Sequence, residues 1–177
     1  IYSNFLHHRK IHVPFISLIV SGGHTTLLLV KEIGQYQILG NTRDDAAGEV
    51  FDKIAKYFGL GYPGGPLIER TALSGKKDAI HFPRPLTKEA NFDFSFSGLK
   101  TAVIYFAKEQ AKTNGSFPIE DIFASFQQAI IDTLIIKTFY AANKLNIANI
   151  LIGGGVAANN SLRKEFIAVG KKNNISV

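Results

Sequence analysis

Residues 15–25 read F-I-S-L-I-V-S-G-G-H-T, and the fold follows from how that stretch is taken. Phe15–Val20 is a run of apolar, largely branched side chains interrupted only by Ser17, the pattern of a buried strand. It stops at Ser21-Gly22-Gly23-His24, and a second apolar run starts at once with Thr26–Val30. Two strands joined through Gly-Gly form a hairpin, because glycine takes the backbone angles that such a turn demands. The same two glycines leave bare main chain, where N–H groups can meet a phosphate or carboxylate. Tight turns are also an ordinary part of any sheet, so a binding role needs support from the rest of the chain.

Outward from the hairpin, Gly34 divides Thr26–Ile33 from Gln35–Leu39, which makes a three-stranded meander. Ala46–Leu60 then carries Val50, Phe51, Ile54, Ala55 and Phe58 on one helical face, with Asp44 or Asp45 as the expected N-cap. Asp52 falls on that helix one position past the Val50-Phe51 pair, where a solvated surface role is usual. Gly59-Leu60-Gly61-Tyr62-Pro63-Gly64-Gly65-Pro66 stops this helix and starts another at Leu67, with Pro66 near its first position. Residues 75–93 are polar, hold Pro83 and Pro85, and read as a long loop. Ser97 is the expected N-cap of a helix to about Lys112, which sets Lys100 in a first turn that favours a cation only if an anion lies beside it.

Pro118–Leu145 is the longest helical pattern, with an apolar stripe broad enough for a core or for a partner. Asn149–Ile152 reads as a short buried strand that runs into G-G-G-V-A-A-N-N-S-L-R at 153–163 and a helix to about Lys172. Strand, glycine turn, helix start is a nucleotide-binding arrangement, although neither G-x-G-x-x-G nor G-K-[ST] is present. Near the front, His8 and His12 have the spacing of a helical metal pair. The adjoining Arg9 and Lys10, the absence of a carboxylate between them and the nearby Pro14 instead make His7–His12 a basic turn. The order is β-β-β-α, a helical and loop insertion at about 62–116, a long helix, then β-α. It predicts one α/β unit spanning 1–177, a mixed sheet with helices on both faces. This is the ribonuclease-H-like lobe of the actin-like ATPase fold.

Composition narrows the class. With 177 residues, 46% hydrophobic and 19% charged, the chain fits one globular core. Its apolar runs fall short of the ~20 residues of a membrane span, so a cytoplasmic protein without membrane contact is expected. No cysteine is present, which excludes a disulfide framework and cysteine-ligated metal. A net charge of +6 suits an anionic partner, but the 20 basic residues are scattered. The chain opens on Ile1 and closes on a strand-like Ile175-Ser176-Val177, and it is expected to be part of a longer protein.

Five motifs in order carry a resemblance: V-S-G-G-H-T at 20–25, D-D-A-A-G-E-V-F-D-K at 44–53, Y-P-G-G-P at 62–66, F-S-F-S-G-L-K-T at 94–101, and G-G-G-V-A-A-N-N-S-L-R at 153–163. The chain resembles the large subunit of the tRNA N6-adenosine threonylcarbamoyltransferase family, within the actin-like ATPase superfamily. The resemblance implies transfer of threonylcarbamoyl from threonylcarbamoyl-AMP to N6 of adenosine 37 in tRNAs that read codons starting with A. It implies that the main chain of Ile19, Val20, Ser21, Gly22 and Gly23 binds the phosphate and acyl region, Asp52 and Gly65 the ribose, and Asn159 the base or sugar. Glu69 stands near where the family often has Asp. His24, Ser97 and Lys100 match family positions and are assigned to the site neighbourhood.

The resemblance further implies one divalent metal, iron or zinc, in the full-length protein. The family's ligands are an H-x-E-x-H motif and a distant Asp, neither of which is in these residues. The chain alone is therefore expected to bind no catalytic metal and not to turn over. The implied partners are tRNA, a smaller actin-like paralogous subunit and an accessory ATPase subunit. Two rival readings share the fold: a sugar kinase or ATPase, for which S-G-G-H-T lacks an adjacent carboxylate, and a nonenzymatic dimerisation module built on Pro118–Leu145.

Overall fold

A computed structural model describes residues 11–112 and 117–177. Its sheet has four strands in the order β3-β2-β1-β4, formed by β1 (Phe15–Val20), β2 (Thr25–Glu32), β3 (Gln35–Asn41) and β4 (Ile150–Gly153). The hairpin pairs β1 with β2 antiparallel from Phe15 opposite Val30 to Val20 opposite Thr25, as the Gly-Gly turn requires. β4 lies parallel to β1, with Ile19 beside Gly153. The glycine turns that follow these two strands therefore emerge side by side at one end of the sheet.

Among the described residues five helices accompany the sheet: α1 (Ala47–Tyr57), α2 (Gly64–Ala72), α3 (Ser97–Lys112), α4 (Ile119–Lys144) and α5 (Asn160–Asn173). The start of α1 is seated on the hairpin turn. Ala47 N donates to Thr25 Oγ1 at 3.0 Å and Gly48 N to the Ser21 carbonyl at 3.1 Å. A Cβ at Gly48 would stand 2.5 Å from that carbonyl oxygen, so the approach depends on glycine. Ile16, Leu18, Val20 and Leu27 form a core with Val50 and Ile54 of α1 and Phe123, Phe126 and Ile130 of α4. Phe51 meets Phe126 edge-on, with ring centroids 5.3 Å apart. Helix α4, at 26 residues, is long and apolar enough to cross a membrane, yet 78% of its apolar window is buried inside the protein. Its broad stripe is core, which leaves little of it for the dimerisation role.

The caps differ from expectation. The N-cap of α1 is Ala46, and Glu49 Oε2 accepts from its N–H at 3.3 Å. Asp44 instead closes the start of α3, some fifty residues on. Its Oδ1 accepts from the N–H groups of Phe96 and Ser97 at 2.8 and 3.2 Å, and its Oδ2 from the hydroxyls of Ser95 and Ser97 at 2.5 and 2.7 Å. Ser97 is thus the first helical residue rather than the cap, because an ionised carboxylate satisfies the unpaired N–H groups more strongly than a hydroxyl does. Burial works to raise the Asp44 carboxyl, but the bonds from Ser95, Phe96 and Ser97 outweigh it and hold the group below the usual carboxylate range. The anion that accommodates Lys100 is Asp45, whose two oxygens take Lys100 Nζ at 2.6 Å and Lys53 Nζ at 2.5 Å. Asp45 too lies below its ordinary value, burial being outweighed by Lys100 and Lys53.

Residues 75–93 contain no helix or strand. They are held by Arg84, which donates to Asp132 at 2.8 and 3.0 Å, and by Lys137, which is 1% exposed. Lys137 Nζ donates to the Glu89 carbonyl, the Asn91 carbonyl and Asn91 Oδ1 at 3.2, 2.9 and 3.0 Å. The amphipathic start and His7 and His8 fall outside the described residues.

Candidate functional site

One cleft of about 360 Å³ opens where both glycine turns meet the starts of three helices. The hairpin turn contributes Gly22, α1 contributes Gly48 and Asp52, and α2 contributes Gly65, Pro66 and Glu69. The fourth side is a 3-10 turn, Gly155–Ala158, followed by Asn159 as the N-cap of α5. Phe51 and Val156 add apolar surface, and Tyr62, 83% exposed, stands at the mouth. Five of the residues expected to touch substrate thus come together: Gly22, Asp52, Gly65, Glu69 and Asn159. Ile19, Val20, Ser21, Gly23 and His24 do not line the cleft. The Val20 side chain is in the core, and Ser21 Oγ accepts from His24 N at 3.1 Å and shapes the turn. Ser97 and Lys100 belong to the Asp44–Asp45 cluster and likewise do not line it.

The glycines fall into two groups. Gly48, Gly64 and Gly154 sit where a Cβ would strike neighbouring main chain: the Ser21 carbonyl, the Phe51 carbonyl at 2.7 Å, and the Val20 carbonyl respectively. Gly154 also has φ +102°, a left-handed conformation that disfavours side chains. Those three are demanded by packing. Gly22, Gly65 and Gly155 differ, since none has a left-handed φ and a Cβ at each would meet nothing within 4 Å. The polypeptide does not need glycine there, yet all three face the cleft. Their missing side chains widen the space available to a ligand.

The polar groups suit an anionic ligand with hydroxyls. Helix starts present unpaired N–H groups and the positive end of the helix dipole. The Gly22 N–H donates to no group among the described residues. Asp52, which lines the cleft, accepts from Gly64 N at 2.8 Å through Oδ1. Glu69 Oε1 accepts from Asn160 N at 2.7 Å and from Asn160 Nδ2 at 3.2 Å, so α2 is tied across to α5. Asn159 Oδ1 accepts from Leu162 N at 2.9 Å, while its Nδ2 donates to Gln127 Oε1 at 2.7 Å. Among the described residues no three His, Asp or Glu side chains group as metal ligands.

Sequence reasoning did not single out Gly48, Gly155 or Gln127. The signal for Gly48 was a glycine inside a helical pattern one turn before Asp52. That for Gln127 was a pair of amides, Gln127-Gln128, inside an otherwise largely apolar helical pattern.

A model of the family described as tRNA N6-adenosine threonylcarbamoyltransferase matches residues 1–177. The chain belongs to this family. A threonylcarbamoyltransferase from Endomicrobium trichonymphae is 50% identical over 177 residues, covering all of this chain and 51% of that protein. One from Thermosipho africanus is 48% identical, covering all of this chain and 53% of that protein. The chain spans about half the length of these curated relatives. Among solved structures, HypF of T. kodakarensis superposes with TM-score 0.60 at 21% identity, over 81% of this chain and 18% of that one. Component A of the Acidaminococcus fermentans (R)-2-hydroxyglutaryl-CoA dehydratase gives 0.56 at 16%, over 98% of this chain and 56% of that one. At such identities the likeness concerns fold alone, and the fold is the actin-like ATPase one.

Proposed function

We propose that this chain supplies one wall of an adenylate pocket in a protein that transfers threonylcarbamoyl from threonylcarbamoyl-AMP to N6 of adenosine 37, in tRNAs that read codons starting with A. The observation that carries the proposal is the trio Gly22, Gly65 and Gly155, whose absent side chains clear space in a cleft ringed by helix starts.

In this reaction N6 attacks the carbamoyl carbon, the N–C bond forms, and the bond from that carbon to the phosphate oxygen breaks. AMP leaves with the bonding pair, and N6 loses a proton. The substrate is already activated, so the protein's work is to orient the amine and stabilise the developing oxyanion. The free Gly22 N–H is the donor we assign to the phosphate and acyl region, with the main chain of Ile19, Val20, Ser21 and Gly23 around it. Asp52 and Gly65 are assigned to the ribose, the free Glu69 oxygen beside them, and Asn159 to the base or sugar. His24, Ser97 and Lys100 are kept in the site neighbourhood, His24 in the hairpin turn and Ser97 and Lys100 at the start of α3 beside Asp44 and Asp45. The metal, iron or zinc, supplies Lewis-acid chemistry when bound. We propose no ligand for it among the described residues. The proposed setting is cytoplasmic, with tRNA, a smaller actin-like paralogue and an accessory ATPase as partners, and with residues 62–116 as an insertion in a single lobe.

The test is threonylcarbamoyl transfer to unmodified tRNA by the full-length protein with its partner subunits, compared with Asp52→Ala. Loss of transfer in the variant supports the site. Equal activity overturns the site assignment, and ATP consumption on a sugar without action on tRNA overturns the transferase reading.

A further inference from the structure

Gln127 lies on α4, the core helix, between Phe126 and the apolar run Ala129–Ile131, and is 6% exposed. Burying a primary amide there is unfavourable unless it is hydrogen-bonded. Its one hydrogen bond among the described residues is the 2.7 Å bond that its Oε1 accepts from Asn159 Nδ2.

The polarity of that bond is forced. Asn159 caps α5, so its oxygen must face the Leu162 N–H, a donor. Its NH2 then faces Gln127, which has to present its own oxygen. Turning the Asn159 amide over would set NH2 against N–H at Leu162 and oxygen against oxygen at Gln127. Asn159 is 8% exposed and lines the cleft. What it retains for a ligand is one Nδ2–H and one Oδ1 lone pair. Without Gln127 the NH2 would face dry core, and the amide would gain by rotating toward water.

We propose that Gln127 is a positioning residue of the cleft: it locks the Asn159 amide in one orientation, so that a bound adenine nucleotide meets a fixed donor and acceptor. This rests on the nucleotide reading above. The alternative is that Gln127 merely links α4 to α5.

The experiment titrates AMP into the full-length protein by calorimetry, and records the thermal midpoint without nucleotide. Gln127→Met, which removes the acceptor at similar volume, is expected to weaken AMP about tenfold, the worth of one hydrogen bond. Asn159→Ala is expected to weaken it comparably, and the double variant no further than either single one. Gln127→Glu keeps an acceptor and is expected to recover most of the affinity. Gln127→Asn, too short to reach but still polar, should behave like Gln127→Met and serves if that variant does not fold. A lower thermal midpoint with unchanged AMP affinity overturns the inference alone. Absence of AMP binding by the wild type overturns the nucleotide reading and this inference with it.

Discussion

Asp52 on α1 and Gly64, the first residue of α2, are joined by a 2.8 Å hydrogen bond from the Gly64 N–H to Oδ1. A Cβ on Gly64 would lie 2.8 Å from Asp52 Cα, so the two helices touch main chain to main chain at the edge of the cleft. The carboxylate therefore has a structural task beside any contact to ligand. Asp52→Ala is expected to cost about 1 kcal/mol of stability. Asp52→Asn keeps an acceptor for Gly64 and should stay within about 0.5 kcal/mol of wild type. Urea unfolding of the two variants separates the tasks, since both remove the Asp52 charge and only one removes the bond.

Gly65 and Gly48 line the same cleft and should respond to alanine with opposite signs. Gly65→Ala adds a methyl that meets nothing in the protein and favours the helix, so stability should rise by about 0.5 kcal/mol. Nucleotide affinity should fall, because the methyl enters the cleft. Gly48→Ala drives a methyl against the Ser21 carbonyl, and a loss of about 1–3 kcal/mol is expected. Thermal midpoints with and without AMP check both.

Asp44 gives a pH signature. Its carboxyl is lower in the folded protein than in the unfolded chain, so the stabilisation it contributes is complete above the ordinary value of about 3.9. It is lost as pH falls through the lower folded-state value. Asp44→Ala should cost about 1 kcal/mol near neutrality, as for other helix caps. The gap between variant and wild type should close in strong acid, where both lack an ionised cap. A constant gap across that range would contradict the role.

Lys137 is one tether of the 75–93 loop, beside Arg84. Lys137→Met leaves the Glu89 and Asn91 carbonyls without their donor and should destabilise the protein by about 2 kcal/mol. Since Lys137 does not line the cleft, AMP affinity should be unchanged, and faster proteolysis at residues 84–91 is the local readout.

The hairpin at residues 21–24, the apolar faces of α1 and α4 and the strand before Gly153 were all legible as local patterns. So were five residues of the cleft, through motif resemblance. The start of α3 was not. Its cap is Asp44, which in the linear chain looks like the cap of the helix beside it. Lys100 posed the right question about a neighbouring anion, and the answer, Asp45, lies 55 residues earlier. Gln127 was not singled out at all, because its partner Asn159 stands 32 residues further on.

The linear chain by itself determined which segments become strands and helices and where the main chain is stripped to glycine, because periodicity and turn chemistry act over a few neighbours. Only the tertiary structure decided which glycines serve packing and which open a cleft, and which carboxylates and amides are already committed. Those distinctions depend on what stands within a few ångströms across the fold, where the parallel pairing of β1 and β4 brings two distant glycine turns together.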